Sequence, residues 1–426
     1  MISKNIFFKL NNDHFKIFFL LILLFIIFYR SPYILINGRF VAEEGSFWFR
    51  NAHLHGPFYA LTQIFWGSSY LNLWSNIASF FSILVPIEYA PYVTVYFSLL
   101  IKLYLFIFIV FSESEFIKSN FDKAIISFIV LLSPPMVPEV WLNTLTSQVY
   151  FFIFCILILL QNSFKKNFFF YTSPIILFLG GMSSILCCAL TPIFFLNFIK
   201  KKNKFNFINF FLILFSALVQ FFIFIFSHVE NLAFGGSQER FILSINKFIN
   251  FLYNVYIKAF LGRPFTQFLY YNIFENLNFV IIFFSISLLI IFFFILILKN
   301  IPKDDILNKL FFAFFIISLL SFFASKDSSV QGRYAVAPGI LSLFIFYRIS
   351  QISSIFFRYF SYILVFISIL AGAYEFKSRT KYPEFLLCNT SKWTCPDWKS
   401  EVFKWKNDKN YKMKIWNYPG KYMSLN

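Results

Sequence analysis

The chain has 426 residues, of which 59% are hydrophobic and only 13% charged, against roughly 45–50% and 25% in soluble domains. That leaves too little polar surface to cover the core of a chain this long, so a soluble globular protein is excluded. The net charge of +18 does not point to nucleic acid: Lys and Arg sit in short clusters beside apolar blocks, where they act as topology signals, and no nucleic-acid-binding motif is present.

The apolar runs come in blocks of about 17–25 residues, the length of helix that crosses a hydrocarbon core of about 30 Å. Spans are expected near 15–36, 90–111, 123–140, 147–161, 168–180, 184–199, 207–227, 277–298, 308–324, 336–349 and 356–374. The first has the basic start and apolar centre of a signal peptide, but Tyr29 is followed by Arg30-Ser31-Pro32-Tyr33 with no small-residue cleavage site. It reads as an uncleaved span with its basic end in the cytoplasm. Lys165-Lys166, Lys200-Lys201-Lys202 with Lys204, Lys299 with Lys303 and Lys309, and Arg348 with Arg358 then fall on that inner side. The expectation is an all-α, multi-pass bundle of eleven spans with its N-terminus inside and its C-terminus outside. Residues 1–374 form the membrane domain, and 375–426 a basic, Trp-rich extracytoplasmic tail.

The pair 168–180 and 184–199 is short and interrupted by Gly180-Gly181-Met182-Ser183-Ser184. Discontinuous helices lining a polar cavity and a tight hairpin both fit. Three large pieces lie outside: 37–89, 228–276 and 375–426. In the first outer loop, 37–89, Gly45–Leu61 and Tyr70–Leu84 read as amphipathic helices in the interface, with Trp48, Trp66 and Trp74 at headgroup level. The 70 Phe residues are spread over nearly every span, so codon bias accounts for them more simply than an aromatic groove does. Cys155, Cys187 and Cys188 lie in apolar runs as small core residues. Cys388 and Cys395 bracket a polar stretch in what would be an oxidising compartment, where a disulfide persists; two free thiols are the alternative.

Chemistry starts with Glu43-Glu44, directly after the first span. Carboxylates at membrane depth are costly and rare. One reading is a cap on the N-terminus of the following helix. The other is a general base that deprotonates a sugar or lipid hydroxyl, helped by repulsion between neighbouring carboxylates.

A first span followed by a long outer loop with an acidic pair near its start resembles the GT-C superfamily of integral membrane glycosyltransferases. Ala42-Glu43-Glu44-Gly45 with Ala52 and Gly56, Arg333-Tyr334-Ala335-Val336-Ala337-Pro338, and the tail Cys395-Pro396-Asp397-Trp398 with Trp405 and Ile415-Trp416 are similar to an uncharacterised bacterial branch. The resemblance runs through short motifs only. It implies a bacterial cytoplasmic-membrane enzyme that moves sugar from a polyprenyl-phosphate donor to an extracytoplasmic acceptor glycan, lipid or protein. The catalytic base would be Glu43 or Glu44. The superfamily motif usually contains Asp, so this Glu pair leaves open which carboxylate acts and whether a divalent metal takes part.

Arg333 stands just before the tenth span on the outer side, against the positive-inside trend. Its planar fork suits a phosphate; a headgroup anchor with Tyr334 is the alternative. Arg39 and Arg263 are further outer cations that suit a carboxylate or a carrier phosphate, or a structural role. His53 and His55 point to different helix faces and cannot chelate together from one helix; His53 reads as a polar anchor or a partner of the acidic pair. Asn143 and Trp141, in the short outer turn with Glu139 and Thr144, read as an acceptor-sugar contact or as loop caps. Two other functions stay open: a polysaccharide polymerase or ligase of another membrane fold, and a transporter or flippase of lipid-linked glycans, which needs charges deep inside several spans.

Overall fold

The computed structural model describes residues 2–134, 137–161, 168–230, 244–269, 303–325, 332–377, 386, 396–416 and 421–426. Over these residues the chain is a bundle of helices with one two-residue antiparallel pairing, Met413–Lys414 with Tyr422–Met423. Among the described residues, five helices are long and apolar enough to cross a membrane: Ile87–Phe111, Lys204–Val229, Asp305–Ala324, Gly332–Ile352 and Ile355–Glu375. The expected span at 277–298 lies outside the described residues.

The bundle is built inside out, as lipid requires. Helix Lys204–Val229 buries Asn206, Asn209, Ser216, Gln220 and Ser227. It exposes Phe207, Phe211, Phe215, Phe221 and Phe222. In water that arrangement would be untenable. In hydrocarbon the apolar face needs no cover, while polar side chains must find partners inside the protein. Helix Ile355–Glu375 repeats the pattern, burying Ser361 and Ser368 and exposing Ile363, Phe366 and Leu370.

Several expected spans are shorter than their apolar runs. The run at 123–140 forms helix Asn120–Leu132, opened by a capping box between Ser119 and Asp122. It stops at Ser133 because Pro134-Pro135 removes backbone donors and disfavours helix before it. The run at 147–161 forms helix Gln148–Leu159, and every residue after Gln148 is buried. Twelve residues reach about 18 Å, and the helix is enclosed by the rest of the bundle. Helices Phe168–Ser183 and Ile185–Lys201 form one apolar unit bent by 116°. Gly181 packs against Ser216 of the Lys204–Val229 helix, leaving no room for a Cβ.

The first outer loop differs from two interfacial helices. It is a series of short pieces: a wide turn Glu44–Phe49, helices Arg50–His55 and Pro57–Thr62, and helix Leu73–Ser82. Gly56, at φ 89°, makes the break between the first two helices. Trp48 and Trp74 are buried within the protein. Trp48 Nε1 donates to Asn76 Oδ1 at 3.0 Å, and Asn76 Nδ2 donates to the carbonyls of Leu61 and Gln63. Polar anchors from the spans fix this layer: Gln220 exchanges two hydrogen bonds with the Leu71 backbone, and Ser183 Oγ accepts from Trp74 N at 2.8 Å.

The described part of the tail packs back on this loop. Phe40, Phe49 and Ala90 share one apolar cluster with Trp398, Val402, Trp405, Met413, Ile415, Met423 and Leu425. Ala42 N donates to Trp416 O at 2.7 Å, Arg50 Nε to Ser424 O at 2.9 Å, and Trp398 Nε1 to Ile87 O at 2.7 Å. First loop and tail therefore lie on one face of the bundle, called the loop face below. At the opposite end Arg348 makes a two-pronged pair with Asp304, at 3.1 and 2.6 Å, and donates to Glu115 O at 3.1 Å. Bidentate pairs of this kind fix helix ends more firmly than single contacts.

The shared cluster predicts one-sided labelling. Single cysteines at the exposed Phe58 and Phe403, in a background with Cys388 and Cys395 replaced by Ser, are expected to react with a membrane-impermeant maleimide from the same side of sealed vesicles. Labelling from opposite sides would break the docking of the tail on the loop. A second expectation concerns Gly372, where a Cβ would run into the backbone carbonyl of Leu132. Gly372→Val should lower the detergent-solubilised Tm by several degrees, since neither helix backbone can yield cheaply.

Candidate functional site

The acidic pair splits into two roles. Glu44 is 1% exposed. Its Oε1 accepts from both the backbone N and Oγ1 of Thr144 at 2.6 Å, and its Oε2 accepts from Val41 N at 3.1 Å. The carboxylate thus joins the first loop to the turn before helix Gln148–Leu159. Burial raises its pKa to about 7, against the pull of these hydrogen bonds and of the Arg39 charge. On both sides of it the backbone is left-handed without glycine, at Ala42 (φ 46°) and Leu142 (φ 47°). Such residues persist only where the surroundings hold them, and Glu44 grips Val41 next to the first and Thr144 two residues beyond the second. It does not cap its own turn, and it does not face a cavity open to solvent.

Glu43 faces the other way. Its side chain is 36% exposed, and its Oε1 lies 3.2 Å from Lys421 Nζ of the tail. Arg333, 37% exposed, lies 3.7 Å from Glu139 Oε1 and packs its guanidinium over the Tyr334 ring at 5.2 Å. The Glu43 charge also acts on Arg333. Glu43 from the first loop, Glu139 from the turn Pro138–Val140, Arg333 and Tyr334 from the start of helix Gly332–Ile352, and Lys421 from the tail thus meet on the loop face.

The other expected residues are placed differently. Arg39 is buried, stacks on Trp416 at 4.8 Å, and burial pulls its pKa down to about 9 while the Glu44 charge opposes the fall. It belongs to the Glu44 side and not to the exposed cluster. Trp141 is unable to stack on an acceptor sugar, because it is 1% exposed. Its Nε1 donates to Ser31 Oγ at 2.7 Å, and its ring carries Lys102 and Arg30. Asn143 is a loop cap, donating to Glu139 O at 2.6 Å and accepting from Thr146 N at 2.9 Å. Arg263 donates its backbone N–H to the Glu375 carboxylate, remote in sequence from the acidic pair. His53 packs between Phe49 and Trp405, with ring centroids 5.9 and 6.0 Å away, and burial together with the Lys409 charge pushes its pKa down. Cys388 and Cys395 lie outside the described residues. Among the described residues no group of three His, Cys, Asp or Glu side chains is arranged to hold a metal ion.

One member of this site carries no sequence signal: Lys421 is one lysine among many in a basic tail. Thr144, expected with Asn143 as an acceptor-sugar contact or a loop cap, instead reaches Glu44 across a sequence separation of 100 residues. No family of known proteins, no curated protein and no solved structure matches the chain.

The Glu44 geometry gives a pH prediction. A carboxyl whose folded pKa lies above its unfolded value binds more protons when folded, so its contribution to stability is present at low pH and is lost as pH rises towards about 7. Tm of the wild type should therefore fall across pH 5–8 relative to that of Glu44→Gln. The titrating contribution is on the order of 3 kcal/mol for a shift of this size. Glu44→Gln should itself be destabilised, because an amide NH2 then faces the Val41 or Thr144 donors. Parallel Tm profiles for the two proteins would show that Glu44 keeps one protonation state throughout.

Proposed function

We propose that this protein is a GT-C-type membrane glycosyltransferase of about eleven spans in a bacterial cytoplasmic membrane, with the loop face outside. It moves sugar from a polyprenyl-phosphate donor to an extracytoplasmic acceptor. The observation that carries this reading is the meeting of Glu43, Glu139 and Arg333 on the loop face, from three segments far apart in sequence. An exposed carboxylate near an exposed guanidinium is the pair that glycosyl transfer from a lipid phosphate needs: a base for the acceptor hydroxyl and a cation for the departing phosphate. Glu43 is the base in this reading, and Glu44 is the positioning residue that holds its loop. Lys421 occupies Glu43 from the tail and must move aside, or share the carboxylate, when the acceptor enters. Arg333 passes from Glu139 to the donor phosphate, with Tyr334 supporting its guanidinium.

A specific observation favours a second reading. Lys102 is a buried basic residue inside an apolar span, and Arg30 is buried beside it at the end of helix Ile2–Arg30, the kind of feature a transporter or flippase of lipid-linked glycans requires. Both readings share the outer site but differ in turnover: only the enzyme cleaves the donor.

The test is donor cleavage in proteoliposomes carrying polyprenyl-phosphate sugars. Glu43→Gln is expected to lower transfer by about 10²–10⁴-fold with membrane insertion and Tm unchanged. Arg333→Ala should do likewise, and Arg333→Lys should recover only part, lacking the bidentate fork. Donor movement across the bilayer without cleavage would support the flippase and end the transferase reading. Full activity in Glu43→Gln would remove Glu43 as the base.

A further inference from the structure

Below the Pro138–Val140 turn, inside the bundle, two basic side chains stand together, and among the described residues no carboxylate lies beside them. Arg30 closes helix Ile2–Arg30 and is 2% exposed; Lys102, in the middle of helix Ala90–Phe111, is 1% exposed. Both lie against the Trp141 ring, the guanidinium carbon at 4.1 Å and Lys102 Nζ at 3.2 Å from its centroid. Arg30 is covered further by Phe376 at 4.8 Å, and Lys102 by Tyr150 at 4.4 Å. Arg30 Nε, Arg30 Nη2 and Lys102 Nζ are buried with no hydrogen-bond partner. Among the described residues no carboxylate acts on either group; the charge that acts on Lys102 is Arg30 itself.

A buried guanidinium is not relieved by losing its proton, since Arg stays charged in proteins. Stacking on aromatic faces attracts a cation but leaves its N–H donors unused. The negative end of the helix that Arg30 terminates offsets part of one charge. Two like charges in a low-dielectric interior still repel and still lack acceptors. Beside them is a cavity of about 30 Å³ bordered by Arg30, Trp141, Tyr150 and Ser133, with Val, Leu and Ile side chains closing the rest. That holds about two water-sized occupants. A space of that size suits one small anion, and the Val, Leu and Ile side chains over most of its wall do not favour a strongly hydrated divalent one.

We propose that this cavity binds one small monovalent inorganic anion of halide size, with Arg30 as its contact and Lys102 as the second cation behind the aromatic rings. The anion completes the charge balance of the bundle core under the loop-face site. The site is independent of the transferase reading, because it requires only the buried pair and its cavity.

The experiment uses the full-length protein in detergent, with chloride as the probe. Saturable binding of ³⁶Cl⁻, about one per chain, is expected, displaced by bromide but not by phosphate or gluconate. Tm should be higher by about 2–5 °C in chloride than in gluconate at equal ionic strength. Arg30→Met should lose the saturable binding, and Lys102→Met should weaken it by tenfold or more. If either variant fails to fold, the wild type still decides: no saturable ³⁶Cl⁻ binding to folded protein, or equal Tm in chloride and gluconate, overturns the site. Displacement by phosphate overturns the halide assignment, and unchanged binding in folded Arg30→Met places any bound anion elsewhere.

Discussion

One buried carboxylate sets the geometry of the loop face. Glu44 holds Val41 with one oxygen and Thr144 with the other, so the first loop and the turn at 141–147 cannot move apart. The left-handed Ala42 and Leu142 cost on the order of 1–3 kcal/mol each, and the hydrogen bonds of Glu44 to Val41 and Thr144 close by offset part of that cost. Once Ala42 is turned in this way, its N–H is presented to Trp416 O, and the tail docks along Val41 as a short parallel bridge. Glu43 is left facing outward beside Lys421. The position of the proposed base thus follows from its neighbour.

Lipid as solvent explains why the fold was partly legible. Apolar runs marked where helices lie, because hydrocarbon tolerates Phe and Ile on the outside and demands satisfied backbone inside. They did not separate helices with an exposed face from helices enclosed in the bundle. Gln148–Leu159 is as apolar as its neighbours, yet it is enclosed on every side. Composition alone does not distinguish lipid from protein as its surroundings. In the loop 37–89 the expected helix at Tyr70–Leu84 is present as Leu73–Ser82, but Gly45–Leu61 is broken into short pieces. Trp48 and Trp74 have the amphipathic character of interface anchors, yet Trp48 uses its indole N–H internally, on Asn76, and Trp74 its backbone N–H, on Ser183.

At the site, residue type was legible and residue role was not. The acidic pair stood out because carboxylates beside a span are rare. Which of the two is buried depends on Thr144 and on a tail almost 400 residues away, and neither is visible locally. Trp141 looked like a sugar platform because an outer-turn Trp usually is exposed. Its burial follows from Arg30 and Lys102, two charges inside apolar runs that a reading centred on the loops passed over. A lone Lys in a run such as Leu99-Leu100-Ile101-Lys102-Leu103 is the signal that was available.

The identity of Glu44 also bears on why a carboxylate is used where burial makes one expensive. Its two oxygens accept three N–H or O–H donors, and an amide in the same place offers only one accepting oxygen. A neutral carboxylic acid would likewise lose one acceptor to its own proton. Only the ionised form satisfies all three donors, and burial opposes that form. Arg39, close enough for its charge to favour the carboxylate, tips the balance part of the way and is itself held by Trp416 of the tail. Tail docking, the charge on Arg39 and the ionisation of Glu44 are therefore one linked equilibrium: loosening the tail frees Arg39, weakens the carboxylate's grip on Val41 and Thr144, and releases the loop that carries Glu43.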